Sequence, residues 1–224
     1  MSIAERIIAF NKSLSPPSGL PKEVGVLNPY KDEQALTVSS IFYNKFYSDE
    51  NQRIALFGIN PGRFGGGITG IPFTDPIKLT EKLDLEHSFA LRAELSSNFM
   101  YEMIEAYGGA DRFYASFYFT ALSPLGYVKE DKNLNYYDIP NWKPIFETYA
   151  NEQIVNQLKF PLNTNFAICI GQGQNLKFLE SLNQKHHYFN EIKVVPHPRW
   201  IMQYRLKRKS EFIDQYLQTL SDVN

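Results

Sequence analysis

The 224-residue sequence predicts an α/β fold: a three-layer α/β/α single domain over residues 1–224, built on a short, mainly parallel central sheet. Three observations predict it. Four short apolar runs (Arg53–Gly58, Phe113–Thr120, Phe166–Ile170 and Ile192–Val195) alternate with longer stretches of helical periodicity. That order is expected of parallel strands covered on both faces. Several of the runs empty directly into glycine- or proline-rich loops, where open α/β sheets place their ligands. The composition, 43% hydrophobic and 21% charged, is that of a folded globular chain and excludes disorder.

Each element has its own signal. Ile3, Ile7, Ile8 and Phe10 are spaced as on a helix over residues 3–14, which Pro16, Pro17, Gly19 and Pro21 terminate. Residues 31–48 read as a second helix, with Leu36, Ile41, Phe42, Phe46 and Tyr47 as its buried stripe, so that residues 1–50 form a helical portion packed on the domain. After the strand at 53–58 a glycine-rich loop runs to about Pro76, and helical spacing returns over 89–107, ending at Gly108-Gly109. Phe113–Thr120 alternates, Phe113, Ala115, Phe117 and Phe119 sharing one face, as a strand should. Pro124 to Pro140 is the longest irregular segment. Helices are expected at 142–159, 174–184 and 203–220, with the strands Phe166–Ile170 and Ile192–Val195 between them.

Composition also bounds function. Cys169 is the single cysteine, which excludes a disulfide scaffold, a multi-cysteine zinc site and a four-cysteine iron–sulfur cluster. No apolar run approaches the ~18 residues that span a bilayer, and the N-terminus lacks the features of a signal peptide. The expectation is a cytoplasmic protein without membrane partners. A formal charge of −1 rules out a globally basic nucleic-acid binder but not a basic patch.

Three segments carry chemistry. The first is Gly58–Asp75, GINPGRFGGGITGIPFTD, which holds six of the chain's 13 glycines. Glycines let a backbone approach a ligand closely, and Pro61 stiffens the turn beside Asn60. Neither nucleotide-loop pattern, GxxxxGK[ST] or GxGxxG opening a helix, is present. An undirected flexible connection is the bland alternative. The second is Pro196-His197-Pro198-Arg199-Trp200, which fixes a histidine between two prolines after a strand. The third is the run 199–209, where Arg199, Arg205, Lys207, Arg208 and Lys209 occur without an acidic residue on an otherwise acidic chain. Such a face suits phosphates, though a solvated helix start reads the same way.

Together these segments resemble the uracil-DNA glycosylase superfamily, specifically a bacterial subfamily of its SMUG-type branch, the single-strand-selective monofunctional uracil glycosylases. The branch's first motif runs G-x-N-P-G-x-F-G and then T-G-x-P-F. Gly58, Asn60, Pro61, Gly62, Phe64, Gly65, Thr69, Gly70, Pro72 and Phe73 stand in that register. The second motif begins His-Pro, matched by His197-Pro198, with Arg199-Trp200 in place of the longer family form. The resemblance spans roughly residues 50–220.

It implies that Asn60 holds the attacking water and that His197 donates to the uracil O2. It implies that backbone groups of Ile59 and Gly62 meet the base or the water, that Phe73 stacks on the flipped base, and that Phe64 belongs to the substrate site. The family reads the pyrimidine edge with an asparagine three residues before a proline. Here that position is Ala121, flanked by Thr120 and Ser123 as possible replacements. DNA would be held by Arg199, Trp200, Arg205, Lys207, Arg208 and Lys209. The implied activity is release of uracil from DNA by a monomeric, monofunctional enzyme without cofactor, metal or iron–sulfur cluster. The alternatives are a glycosylase for xanthine or hypoxanthine, a non-catalytic nucleotide- or DNA-binding module, and a small-molecule α/β enzyme.

Overall fold

The computed structural model describes residues 1–224, with seven strands in two sheets. They are β1 (Gly25–Leu27), β2 (Arg53–Gly58), β3 (Phe117–Ala121), β4 (Gly126–Lys129), β5 (Lys132–Leu134), β6 (Leu162–Ile170) and β7 (Glu191–Val195). The main sheet runs β3-β2-β6-β7 with every neighbouring pair parallel. All residues of β2 and β3 are buried, so these strands face protein on both sides, as their apolar runs require.

Ten helices surround it: α1 (Ile3–Ser13), α2 (Glu33–Phe46), α3 (Gly66–Thr69), α4 (Pro76–Leu83), α5 (Leu95–Tyr107), α6 (Ala110–Ser116), α7 (Trp142–Gln157), α8 (Gln174–His186), α9 (Pro198–Tyr204) and α10 (Lys209–Val223). Their starts are chemically marked. Ser2 and Glu5 form a reciprocal capping box on α1, while Asp32 and Asp75 cap α2 and α4 through their carboxylates. Helix α8 lies against β6 and α10 against β7, α5 packs on α9 and α10, and α1 packs on α2 and α7. No helix is long and apolar enough to cross a membrane.

The sequence expectations need five corrections, the first being that the helix expected over 89–107 begins only at Leu95. Ile41 is not in the buried stripe of α2 but 51% exposed, and Val38 and Tyr43 take its place. Residues 113–116 are the end of α6, and β3 begins only at Phe117. Positions 113 and 117 fit a helix face as well as a strand face, and their rings meet at 5.1 Å across one helical turn. The irregular stretch after Pro124 holds the β4–β5 hairpin, which with β1 makes a separate antiparallel sheet. Its two-residue turn uses Glu130 and Asp131, both at positive φ, where Asn-Gly would have announced a hairpin. The segment 203–220 is divided between the last residues of α9, a short 3-10 turn at Leu206–Arg208, and α10.

Candidate active site

A pocket opens at the carboxyl ends of β2, β3 and β7, where the first two chemically marked segments meet. Asn60, two residues past β2, is held against the hairpin. Its Oδ1 accepts from the Tyr136 N–H at 2.9 Å, and its Nδ2 donates to the carbonyls of Leu134 (3.1 Å) and Pro61 (3.4 Å). Both amide hydrogens are therefore engaged, and one lone pair of Oδ1 is left for the pocket. The hairpin also takes the Arg63 N–H onto Asn133 Oδ1 at 2.9 Å. Gly126 permits this docking, because a Cβ there would overlap the Pro61 carbonyl.

The rest of the first motif is braced from within. Thr69 Oγ1 donates to the Thr74 carbonyl at 2.8 Å and accepts from the Ile71 N–H at 3.2 Å, fixing the turn that presents Phe73. Phe73 has φ +55°, a left-handed conformation that a bulky residue adopts only when its surroundings impose it. The ring lies 5.2 Å from Phe119 and 6.3 Å from the His197 ring, forming one wall of the pocket. The carbonyl of Gly62 accepts from Gly65 and Gly67, and that of Ile59 accepts from Ser123.

His197 caps α9. Its Nδ1 accepts the Arg199 N–H at 3.2 Å, which leaves the ring proton on Nε2. Burial and the Arg199 guanidinium push its pKa down to about 4, so the ring is neutral at physiological pH. Tyr216 donates its hydroxyl to the Pro196 carbonyl at 2.5 Å and pins the approach to the histidine from α10.

The expected residues divide into three groups. Asn60, Ile59, Gly62, Phe73, Thr120, His197 and Arg199 line one pocket. Thr120 turns its hydroxyl onto Gln157 Oε1 of α7. Ser123 does not reach the pocket: it is fully buried, with its hydroxyl against the Leu125 carbonyl and the Tyr127 hydroxyl. Phe64 lies outside as well, in an adjoining outer groove, between the guanidinium groups of Arg63 (4.4 Å) and Arg92 (5.2 Å).

The basic run is also not uniform. Arg208 forms a forked ion pair with Glu211, and Lys209 pairs with Glu102 of α5. Arg199, Arg205 and Lys207 are exposed and pair with no acid. Trp200 is 39% exposed, packed edge-on to Phe212 with the Arg205 guanidinium 4.8 Å above its ring.

The pocket has further walls that sequence reasoning missed. Asn133 and Leu134 come from the hairpin, Glu94 from the residue before α5, and Phe10, Asn11, Tyr30 and Tyr43 from the N-terminal helices and the turn between them. None belongs to a motif. Tyr30 donates its hydroxyl to the Gly70 carbonyl at 3.0 Å and so ties that N-terminal wall to the first motif.

A sequence model described as the uracil DNA glycosylase superfamily matches residues 45–221. No curated protein matches the chain. Among solved structures, the crystal structure of wild-type Pedobacter heparinus SMUG2 is similar over 100% of this chain and 99% of that one, at 40% identity and a TM-score of 0.97.

Proposed function

The chain belongs to the uracil DNA glycosylase superfamily, and from that premise we propose a monofunctional, monomeric enzyme that flips uracil out of DNA, hydrolyses its N-glycosidic bond and leaves an abasic site. The observation that carries this reading is the convergence of Asn60 and Phe73, from the loop after β2, and His197, from the segment after β7, on one pocket.

Each role is supported by the placement of the residue and by the chemistry of base release. A base reaches the pocket only after leaving the stack, and stacking on Phe73 returns about 1–3 kcal/mol of that cost. As the glycosidic bond breaks, negative charge develops on the base. His197 Nε2–H is a neutral donor aimed at that charge, and one such donor is typically worth about 3–4 kcal/mol in the transition state. The free lone pair of Asn60 Oδ1 accepts from a water and orients it towards the sugar; an amide cannot take the proton. No lysine lines the pocket to form a Schiff base, which supports base release without strand cleavage.

A second reading, a glycosylase for xanthine or hypoxanthine, draws support from one observation. Where the family's pyrimidine-reading asparagine would stand there is Ala121, and Asn11, Tyr30 and Tyr43 line the same pocket. A panel of single- and double-stranded oligonucleotides carrying uracil, xanthine or hypoxanthine, assayed for alkali-labile sites, tests both. Uracil release ranking first supports the main reading, purine release ranking first supports the second, and no abasic product from any substrate sinks both.

A further inference from the structure

One pocket residue has no part in that scheme. Glu94 precedes α5, and its carboxylate lies against the first motif: a Cβ at Gly62 would come within 2.5 Å of Oε1, and one at Gly65 would overlap Oε2. Two glycines thus leave room for the carboxylate beside the loop that carries Asn60. It is the only acidic side chain lining the pocket. Its position is set through the main chain, because Asp75 Oδ2 accepts the Glu94 N–H at 2.8 Å while Asp75 Oδ1 caps α4. Burial and the Asp75 charge push the Glu94 pKa up to about 7, and Arg199 draws it down. No hydrogen bond or ion pair within the protein uses its two oxygens, an arrangement that stability alone does not favour.

Glu94 also stands where two spaces join. The pocket and the outer groove share Glu94, Ser96, Asn133 and Arg199 as a common wall. The groove adds Arg63 and Lys132, cations suited to phosphates. A nucleotide with its base in the pocket and its phosphates in the groove must pass its sugar across that wall.

We propose that Glu94 is a third catalytic side chain, a carboxylate that faces the reacting sugar and takes the proton of the water held by Asn60. The inference rests on the glycosylase reading. In the step, the bond from C1′ to the base breaks and its electron pair leaves with the base, as an anion bonded by His197. The water oxygen forms the new bond to C1′, and its proton passes to Glu94, which later releases it to solvent. Before transfer, the same negative charge stabilises the cationic sugar, a role a neutral amide cannot fill.

The test is single-turnover base release from a uracil oligonucleotide at saturating enzyme, from pH 5 to 9. The charged groups facing Glu94 are Asp75, Arg199, Arg63, Lys132 and Asp131, with His197 across the pocket. Because the His197 pKa lies near 4, it contributes little in this range. The wild-type rate should rise with pH through about 7, as Glu94 loses its proton. Glu94→Gln should cut the plateau by about 10²-fold, the usual scale of a general base, and flatten the profile. Formate added to Glu94→Ala should restore part of the rate. A flat wild-type profile, or a Gln variant within about ten-fold of wild type, overturns the proposal while leaving the glycosylase reading intact. Absence of abasic product from the wild type would instead overturn that reading.

Discussion

The loop after β2 and the segment after β7 close one pocket by opposite means. In residues 59–75 the polar groups are bound to the protein itself: Asn60 to the hairpin, Thr69 to its own turn, Asp75 to α4 and Glu94. In residues 199–209 three cations are exposed and make no salt bridge, one of them, Arg205, lying over a part-exposed tryptophan. The difference separates aiming from gripping. A group that must meet a reacting atom needs its rotamer fixed by internal bonds, whereas a group that neutralises phosphate works by exchanging counterions and needs only to be free.

The sharpest way to break this comparison is at its centre. Asn60→Ala and His197→Ala should each reduce single-turnover release by about 10²–10³-fold with DNA affinity largely kept. The two differ in stability. Removing Asn60 takes away the side-chain acceptor of the Tyr136 N–H and one donor to the Leu134 carbonyl, at about 1–3 kcal/mol, while removing His197 loses one capping bond, at about 0.5–2 kcal/mol. Near-wild-type rates in both variants would end the assignment. The His197 donor also has a pH signature, seen once Glu94 is removed: the residual activity of Glu94→Gln should hold steady on acidification until the pH falls through about 4, where the ring gains a proton. Folding stability has the same sign. With a folded pKa below the ordinary 6.5, the neutral ring supports the fold fully above that value and progressively less towards pH 4.

Phe73→Ala should cost less, about 10–100-fold, the equivalent of one stacked base. An intact melting transition with poor activity would place the ring's work in the pocket, and a collapsed one would place it in the packing of Phe73 on Phe119. The smallest effects should lie in the gripping segment. Arg205 and Lys207 changed together to Ala should flatten the salt dependence of DNA binding by about 0.7–0.9 for each phosphate no longer neutralised. The same change at Arg208 and Lys209 should flatten it less, because these are already paired with Glu211 and Glu102. Equal slopes for the two double variants would show the ion pairs to be irrelevant. Trp200→Ala should reduce release of paired uracil more than of single-stranded uracil if the ring fills the space the base vacates.

Where local pattern and tertiary demand agree, the sequence is readable. Strand β2 is apolar from end to end and buried throughout, and its expected bounds coincide with those observed. Asn60 and His197 stand out because glycines and prolines mark the turns that aim them. The hairpin escaped notice because its turn places Glu130 and Asp131, not glycine or asparagine, at positive φ. Glu94 escaped because nothing near it in the chain is unusual; its meaning comes from Gly62 and Gly65, far back in the chain. The five cations of 199–209 look alike in sequence, and only the fold distinguishes the paired from the free.

The far wall of the pocket has a consequence of another kind. Phe10, Asn11, Tyr30 and Tyr43 all precede residue 45, where the match to the superfamily begins, and all line the same pocket as Ala121. On the proposed function, the N-terminal wall of the pocket and the loops that carry Asn60 and His197 are therefore different stretches of polypeptide, joined by bonds such as that of Tyr30 with Gly70. Substitutions in α1 or α2 can reshape what fits while Asn60 and His197 keep their supports. Phe10, Asn11 and Tyr43 are then the positions at which changes would test whether substrate range can shift separately from the reaction, whereas Tyr30 is bound to the first motif through Gly70.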